Sequence, residues 1–311
     1  QYMGMLGMHG NYGPNLLTNQ ADVILAIGMR FDDRVTGNLS GYAKQAKIIH
    51  IDIDPAELNK NVPADVAIVA DAKEALIALT KHVKNAKHTE WTQEFKKNDN
   101  LEFEKVKKAE MHPTSGEITM AETIDMLSAQ TKGDAVIVAD VGQHQMVAAR
   151  YSKFAKTDSY ITSGGLGTMG FALPAAMGAK VAAPDRQIVA IIGDGSFQMN
   201  IQELATLAQE QIPVKIIVLN NNFLGMVRQW QQMFHGKRYS FVDLKNPDFV
   251  DVAKGFYIHG RRVVKREDLN EGICELLASK KPMLLEVMVR KEENVFPMVP
   301  SGASVSDVRL E

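Results

Sequence analysis

Residues 187–222 read QIVAIIGDGSFQMNIQELATLAQEQIPVKIIVLNNN, and the alternation of apolar runs and polar breaks within them sets the fold class. Residues 188–192 form an apolar run of strand length, rich in β-branched side chains and ended by Gly193-Asp194-Gly195, as expected for a strand buried on both faces of a parallel sheet. Asn200 with Glu203 three residues on has the form of a capping box. Ile201, Leu204, Ala205, Leu207 and Ala208 then share one helical face as far as Gln211-Ile212-Pro213. Residues 215–219 are a second apolar strand, ended by Asn220, Asn221 and Asn222. The spacing predicts a βαβ unit.

In such a unit the strands run parallel, so both following loops open at the carboxyl edge of the sheet, where open α/β folds bind ligands. Asp194 and the asparagines are thereby expected to converge. Glycine lets the backbone turn sharply beside a ligand. Carboxylate and amide oxygens are hard donors of the kind Mg2+ accepts, and Mg2+ usually completes its octahedron with phosphate oxygens and water. The pattern points to a cation shared with a diphosphate. Either piece alone also reads as a turn or a polar loop. Together they are separated by the 24 residues 196–219, the length a helical crossover needs.

The same alternation extends in both directions. Residues 135–139, 160–162, 188–192, 215–219, 257–264 and 284–289 give about six strands alternating with helices, so 113–290 is expected to be one doubly wound parallel-sheet domain, opened by Thr119 and Glu122 as a capping box. Residues 22–27, 48–53 and 66–70 are further strands. A helix over 72–83 follows, capped by Asp71 and with Ala75, Leu76, Leu79 and Val83 as its apolar face. Three strands with few helices cannot cover both faces of a parallel sheet, so 1–84 is expected to be the second half of a Rossmann-like domain whose first half lies upstream. Residues 85–112, dense in lysine and glutamate, read as a solvated helical linker, and 291–311 as a polar carboxyl-terminal tail.

Several stretches resemble the large catalytic subunit of the acetolactate synthase family: TSGGLGTMGFALPAAMGA (162–179), DVGQHQM (140–146), LGMVRQWQ (224–231) and RFDDRVTG (30–37). The Gly-Asp-Gly and Asn-Asn pair is similar to the thiamine diphosphate signature. The resemblance implies thiamine diphosphate and Mg2+ in the 113–290 domain and FAD in 1–84. It implies Asp194, Asn221 and the Phe223 carbonyl as metal ligands, with Gln143, His144, Gly195 and Ser196 against the diphosphate. Gly167 would offer its carbonyl to the aminopyrimidine, and Met169 would wedge beneath the rings and enforce their geometry. His9, Gly28, Arg30, Asp52 and Asp71 would contact FAD, which takes part in no redox step. Arg34 would hold a substrate carboxylate, and Met226, Val227 and Trp230 would line the acceptor pocket.

The activity so implied joins two pyruvates to 2-acetolactate, or pyruvate to 2-oxobutyrate, with release of carbon dioxide, in branched-chain amino-acid biosynthesis. A homodimer or tetramer with a small regulatory subunit is expected. Two other classes remain open. Gly165-Leu166-Gly167-Thr168-Met169-Gly170 satisfies GxGxxG after a strand, as in an NAD(P)-dependent Rossmann oxidoreductase, although that reading leaves the asparagines unexplained. A noncatalytic thiamine diphosphate-binding relative would keep Asp194 and Asn221.

Composition agrees with a soluble, cytoplasmic protein: 45% hydrophobic and 23% charged residues, with a net charge of −2 spread over both signs. This argues against nucleic-acid and membrane partners. The single cysteine, Cys274, excludes an internal disulfide and reads as a small buried side chain within LNEGICELLASK. A targeting segment could precede Gln1. The family's pairing of a glutamate with the pyrimidine, supplied by an amino-terminal domain across a dimer interface, has no counterpart in these residues. The 311-residue chain alone is therefore expected to form no acetolactate. Product formation by the pure chain in a colorimetric assay contradicts this.

Overall fold

A computed structural model describes residues 2–311. The chain divides into two compact units, one comprising Gln1–Lys108 with Phe296–Glu311 and the other Ala109–Val295.

The first unit contains helices α1 (Tyr12–Thr18), α2 (Asp33–Thr36), α3 (Ala72–Leu79) and α4 (Thr89–Glu102), and strands β1 (Val23–Ile27), β2 (Lys47–Asp52) and β3 (Val66–Val69). The strands form a parallel sheet in the order β1-β2-β3. One face packs Ala26 and Ile48 with Phe31, Tyr42, Ala43 and Val305. The other is covered only in part: Ile51 is buried there, while Val23, Leu25, Val66 and Ile68 are exposed. The expected apolar face of the helix after Asp71 is likewise uncovered. Asp71 caps α3 through the amides of Lys73 and Glu74, but α3 ends at Leu79 and buries no residue completely.

The segment expected to be a solvated linker is helical, and the unit boundary falls inside it. Its α4 runs through a π-turn (Phe103–Lys107) into α5 (Lys108–Met111). Within the first unit α4 carries a fully buried carboxylate. Glu102 accepts from Asn11 Nδ2 (2.9 Å) and the Tyr12 amide (2.7 Å) and pairs with Lys107 (3.2 Å). This ties α4 to the start of α1.

The second unit contains β4 (Val136–Ala139), β5 (Tyr160–Thr162), β6 (Ile188–Gly193), β7 (Lys215–Asn220), β8 (His259–Val263) and β9 (Met283–Met288). They form one parallel sheet in the order β5-β4-β6-β7-β9-β8. Helices α6 (Met120–Thr131), α7 (Gln143–Tyr151) and α13 (Leu269–Ala278) cover one face through Ile124, Val147 and Ile273. The opposite face takes α8 (Ala172–Ala182), α9 (Asp194–Met199), α10 (Glu203–Gln209) and α12 (Phe249–Gly255) through Leu173, Phe197, Leu204 and Phe249. Helix α11 (Gly225–Phe234) follows β7. Alternate strand residues such as Val189 and Ala190 enter opposite cores, which is why β6 and β7 read as unbroken apolar runs. Because β5 and β6 flank β4 on opposite sides, the strand order reverses at β4/β6. A crevice therefore opens at the carboxyl edge there.

Three sequence expectations need correction. The helix after β6 is broken in two, and Asn200 does not cap it by side chain. Its Nδ2 donates to the Gly170 carbonyl (2.6 Å), while Gln202 occupies the N-cap position of α10. Cys274 is exposed, because α13 turns Leu269, Gly272, Ile273 and Leu276 inward. At Thr119 the capping box is half made: its Oγ1 accepts from the Glu122 amide, but the Glu122 carboxylate pairs with Arg266.

Removing the Glu102 carboxylate strands a buried backbone donor and weakens the hold on Lys107. Glu102→Ala should therefore destabilise the first unit by about 2–4 kcal/mol. Urea unfolding followed by Trp91 fluorescence in a Trp230→Phe background measures this, and an unchanged midpoint contradicts it.

Candidate cation and diphosphate site

The segments after β4, β6 and β7 border a pocket with about 470 Å3 of empty space, part of it open to solvent, lined by Gln143, His144, Met169, Asp194, Gly195, Ser196, Asn221, Phe223, Met226 and Val227 among others. These are ten of the residues singled out in the sequence.

Asp194, the first residue of α9, is only 2% exposed. Its Oδ2 accepts from Asn246 Nδ2 (2.7 Å), and backbone amides of Gly195 and Asn222 also reach the carboxylate. Among the described residues no cationic side chain pairs with it. Burial outweighs these hydrogen bonds and pushes its pKa up to about 6. Asn221 is buried, and its Oδ1 accepts from the Phe223 amide (3.1 Å) and retains a second lone pair. Asn222 takes a left-handed conformation (φ 55°) that turns the chain towards α11. Among the described residues no group of three or more His, Cys, Asp or Glu side chains gathers as a metal centre. The donor set here is one carboxylate with amide and carbonyl oxygens, which suits a hard cation that completes its shell with phosphate and water. A buried carboxylate lacking a positive partner fits such an ion.

His144, near the start of α7, is buried, and its Nε2 has no partner. Its ring lies against two backbones. A Cβ added to Gly193 would come within 2.6 Å of Nδ1, and one on Gly142 within 2.9 Å of Cε1. Burial holds its pKa down at about 4 against the attraction of Asp140, so the imidazole is neutral near pH 7. A neutral ring can present Nε2–H to a phosphate oxygen. Gln143 is arranged differently from the expectation of a donor. Its Nε2 donates to Gln229 Oε1 (2.9 Å) and the Glu293 carbonyl (2.6 Å), leaving Oε1 without a partner. Ser196 Oγ donates to the Val141 carbonyl (3.1 Å).

Met226 and Val227 line the pocket wall, whereas Trp230 packs on Phe234 (4.9 Å between centroids) and is not among the lining residues. The buried face of α11 is polar. Arg228 donates to the Glu293 carbonyl and Asn294 Oδ1, and Gln229 Oε1 accepts from the Val295 amide. Gly167 is exposed (φ 65°), and Met169 is half-buried.

The glycine-rich loop makes no vacant anion site. Asp140, fully buried, accepts from the amides of Gly170 (2.9 Å) and Ala172 (2.7 Å). The amides at the start of α8 therefore already face a carboxylate, where a dinucleotide fold would place a pyrophosphate.

The other expected site residues belong to the first unit. Gly28 follows β1, Asp52 ends β2 and Asp71 follows β3, so all three lie on one sheet edge; Arg30 follows Gly28, and His9 precedes α1. Arg34 lines a separate cavity with Met8, Asp33, Gly37, Pro300 and Gly302, and its Nη1 donates to Met8 Sδ (3.3 Å).

Sequence reasoning missed Asn246, which touches Asp194, Asn220 and Asn222, and missed the roles of Asp140 and Gln229. The only local cue at Asn246 is the turn-forming Asn246-Pro247-Asp248 before α12.

Residues 140–287 match the family described as "Thiamine pyrophosphate enzyme, C-terminal TPP binding domain", and residues 1–79 match its "central domain". The chain belongs to the thiamine pyrophosphate enzymes, and its relatives place it among acetolactate synthase large subunits. It is 43% identical over 308 residues to the acetolactate synthase isozyme 2 large subunit of Escherichia coli (strain K12), covering 99% of this chain and 55% of that protein. It is also 43% identical over 316 residues to acetolactate synthase 1, chloroplastic, of Zea mays, covering 99% and 50%. A thiamine diphosphate-dependent 4-hydroxybenzoylformate decarboxylase from Rhodococcus jostii RHA1 shares the structure with a TM-score of 0.70 at 28% identity, over 88% of this chain and 50% of that one. The chain thus spans about half the length of these relatives. Among the described residues no helix is long and apolar enough to cross a membrane.

The two buried groups titrate with opposite effects on stability. The unfolded chain protonates His144 near 6.5 and the folded chain near 4, so stability falls as pH drops through that window. Asp194 takes up its proton near 6 when folded and near 3.8 when unfolded, so its contribution rises as pH drops. His144→Gln should therefore lessen the acid-side loss of stability of the metal-free protein between pH 6.5 and 4.5, measured by urea midpoints. Parallel pH profiles for both proteins contradict this.

Proposed function

We propose that the chain binds thiamine diphosphate through Mg2+ and serves the carbon–carbon condensation of two 2-oxo acids with loss of carbon dioxide. The products would be 2-acetolactate from two pyruvates, or 2-aceto-2-hydroxybutyrate from pyruvate and 2-oxobutyrate, in branched-chain amino-acid biosynthesis. The observation that carries this reading is the buried Asp194 carboxylate, with no cationic side chain paired to it among the described residues, in one pocket with Asn221 and Phe223. Kinship with acetolactate synthase large subunits supports the choice of reaction.

Asp194, the Asn221 amide oxygen and the Phe223 carbonyl would hold Mg2+. His144 Nε2, with Gly195 and Ser196, would receive the diphosphate, and Gln143 would bound the same wall through its acceptor oxygen. Bound thiamine diphosphate supplies a sink for the electrons released in decarboxylation. Met169 would support the rings, with Gly167 offering a carbonyl, and Met226 and Val227 would keep water from the reacting centre. Trp230, which packs on Phe234 of the same helix, would act on acceptor choice. In the first unit, the guanidinium of Arg34 suits a substrate carboxylate. FAD would lie along the sheet edge marked by Gly28, Arg30, Asp52 and Asp71, with His9. A homodimer or tetramer, a small regulatory subunit and a cytoplasmic location complete the reading.

Calorimetric titration of thiamine diphosphate into the chain, with and without Mg2+, tests it. Binding should require Mg2+ and disappear in Asp194→Ala. Binding indifferent to the metal or to the substitution, or binding of NAD+ instead, overturns it.

A further inference from the structure

Asn246 lies on the turn before α12, outside every motif that pointed to the site, yet its carboxamide joins the two loops that carry the metal-ligand set. Its Nδ2 donates to Asp194 Oδ2 (2.7 Å) on the loop after β6, and to Asn220 Oδ1 (3.1 Å) and Asn222 Oδ1 (3.1 Å) around β7. Its Oδ1 accepts from Gln198 Nε2 (2.7 Å) in α9. Two hydrogens thus serve three acceptor oxygens, of which two belong to the residues on either side of Asn221.

The far side of this contact is anchored in the sheet. Asn220 Nδ2 donates to Glu286 Oε1 (2.7 Å), and Glu286, 1% exposed on β9, accepts from Arg262 Nε (2.6 Å) at its other oxygen. Arg262 in turn pairs with Asp248 (2.9 Å), which caps α12 through the amides of Val250 and Asp251. Asp248 stands two residues from Asn246, so the chain of contacts closes into a ring: Asn246, Asn220, Glu286, Arg262, Asp248 and back along the backbone. A closed ring, charge-assisted at Glu286, Arg262 and Asp248, restrains the position of the amide.

We propose that Asn246 is a positioning residue for the cation: its carboxamide sets the gap between Asp194 and Asn221 and holds Asp194 Oδ2, so that the opening fits a small ion. The proposal rests on the Mg2+–diphosphate reading of the pocket. Mg2+ requires ligands at about 2.0–2.1 Å in near-ideal geometry, whereas Ca2+ accepts about 2.3–2.6 Å and more irregular shells. A loosened gap therefore penalises Mg2+ more than Ca2+.

The test uses the 311-residue chain with Asn246→Ala and the isosteric Asn246→Asp. In Asn246→Ala, thiamine diphosphate affinity with Mg2+ should fall about 10–100-fold, the usual effect of removing a group that orients a ligand. Affinity with Ca2+ should fall less, so the Mg2+/Ca2+ ratio drops. Asn246→Asp replaces the donor with an oxygen facing three acceptors and should lower the ratio as well. In the absence of cofactor and metal, amide hydrogen exchange should quicken in 194–196 and 220–224 together in both variants. Unchanged exchange in either loop, an unchanged ion ratio, or tighter Mg2+ binding by Asn246→Asp overturns the proposal. Failure of the wild-type chain to bind thiamine diphosphate with any cation overturns the functional reading instead. The exchange data then still decide whether Asn246 braces the loops.

Discussion

A carboxylate taken out of water with no cationic side chain beside it governs the second unit. Placing an ionised group in a protein interior costs several kcal/mol unless charge or hydrogen bonds offset it. At Asp194 the offset comes from backbone amides and the Asn246 amide, and burial still prevails, as the upward shift of its pKa shows. What surrounds Asp194 is consistent with a cation completing the balance. Asn221 lines the same pocket, His144 is kept neutral with a bare Nε2, and among the described residues the lining carries no lysine or arginine that would compete.

Precision at this edge derives from the sheet. Gly193 pairs in register with Leu219 and Asn220 with Met288, so the loops start from fixed positions on adjacent parallel strands with a dense core on each face. The first unit is built differently. Its sheet is packed on one face and covered only in part on the other, where Ile51 is buried but Val23, Leu25 and Ile68 are exposed. Specific polar ties contribute there instead: Glu102 joins α4 to α1, and Asn19 accepts from the Ala43 amide while donating to Ser304 and Ser306.

The strands were legible in the sequence because a fully buried parallel strand must be apolar throughout, and the loops because glycine and asparagine break that pattern at fixed points. The βαβ unit around Asp194 and Asn221 followed from those two facts. Asn246 was not legible: its partner Asp194 lies 52 residues away, and only the folded sheet brings them together. The buried side of α11 was not legible either. Arg228 and Gln229 are buried there because residues 293–295 supply backbone and side-chain hydrogen-bond partners. Asn200 does not act as a cap: its Nδ2 is held by the Gly170 carbonyl, 30 residues upstream, and its Oδ1 accepts from Gln202 Nε2 instead of a helix amide. Local signals resolved which elements form. Contacts between distant segments decided what their polar side chains do.

The most direct test is a crystal structure of the chain with thiamine diphosphate and Mn2+ in place of Mg2+, the metal located by its anomalous scattering. The account predicts a single strong peak coordinated by Asp194, the Asn221 side-chain oxygen, the Phe223 carbonyl and two diphosphate oxygens. A peak elsewhere, or a diphosphate bound at the glycine-rich loop before α8 with Asp194 uncoordinated, contradicts it.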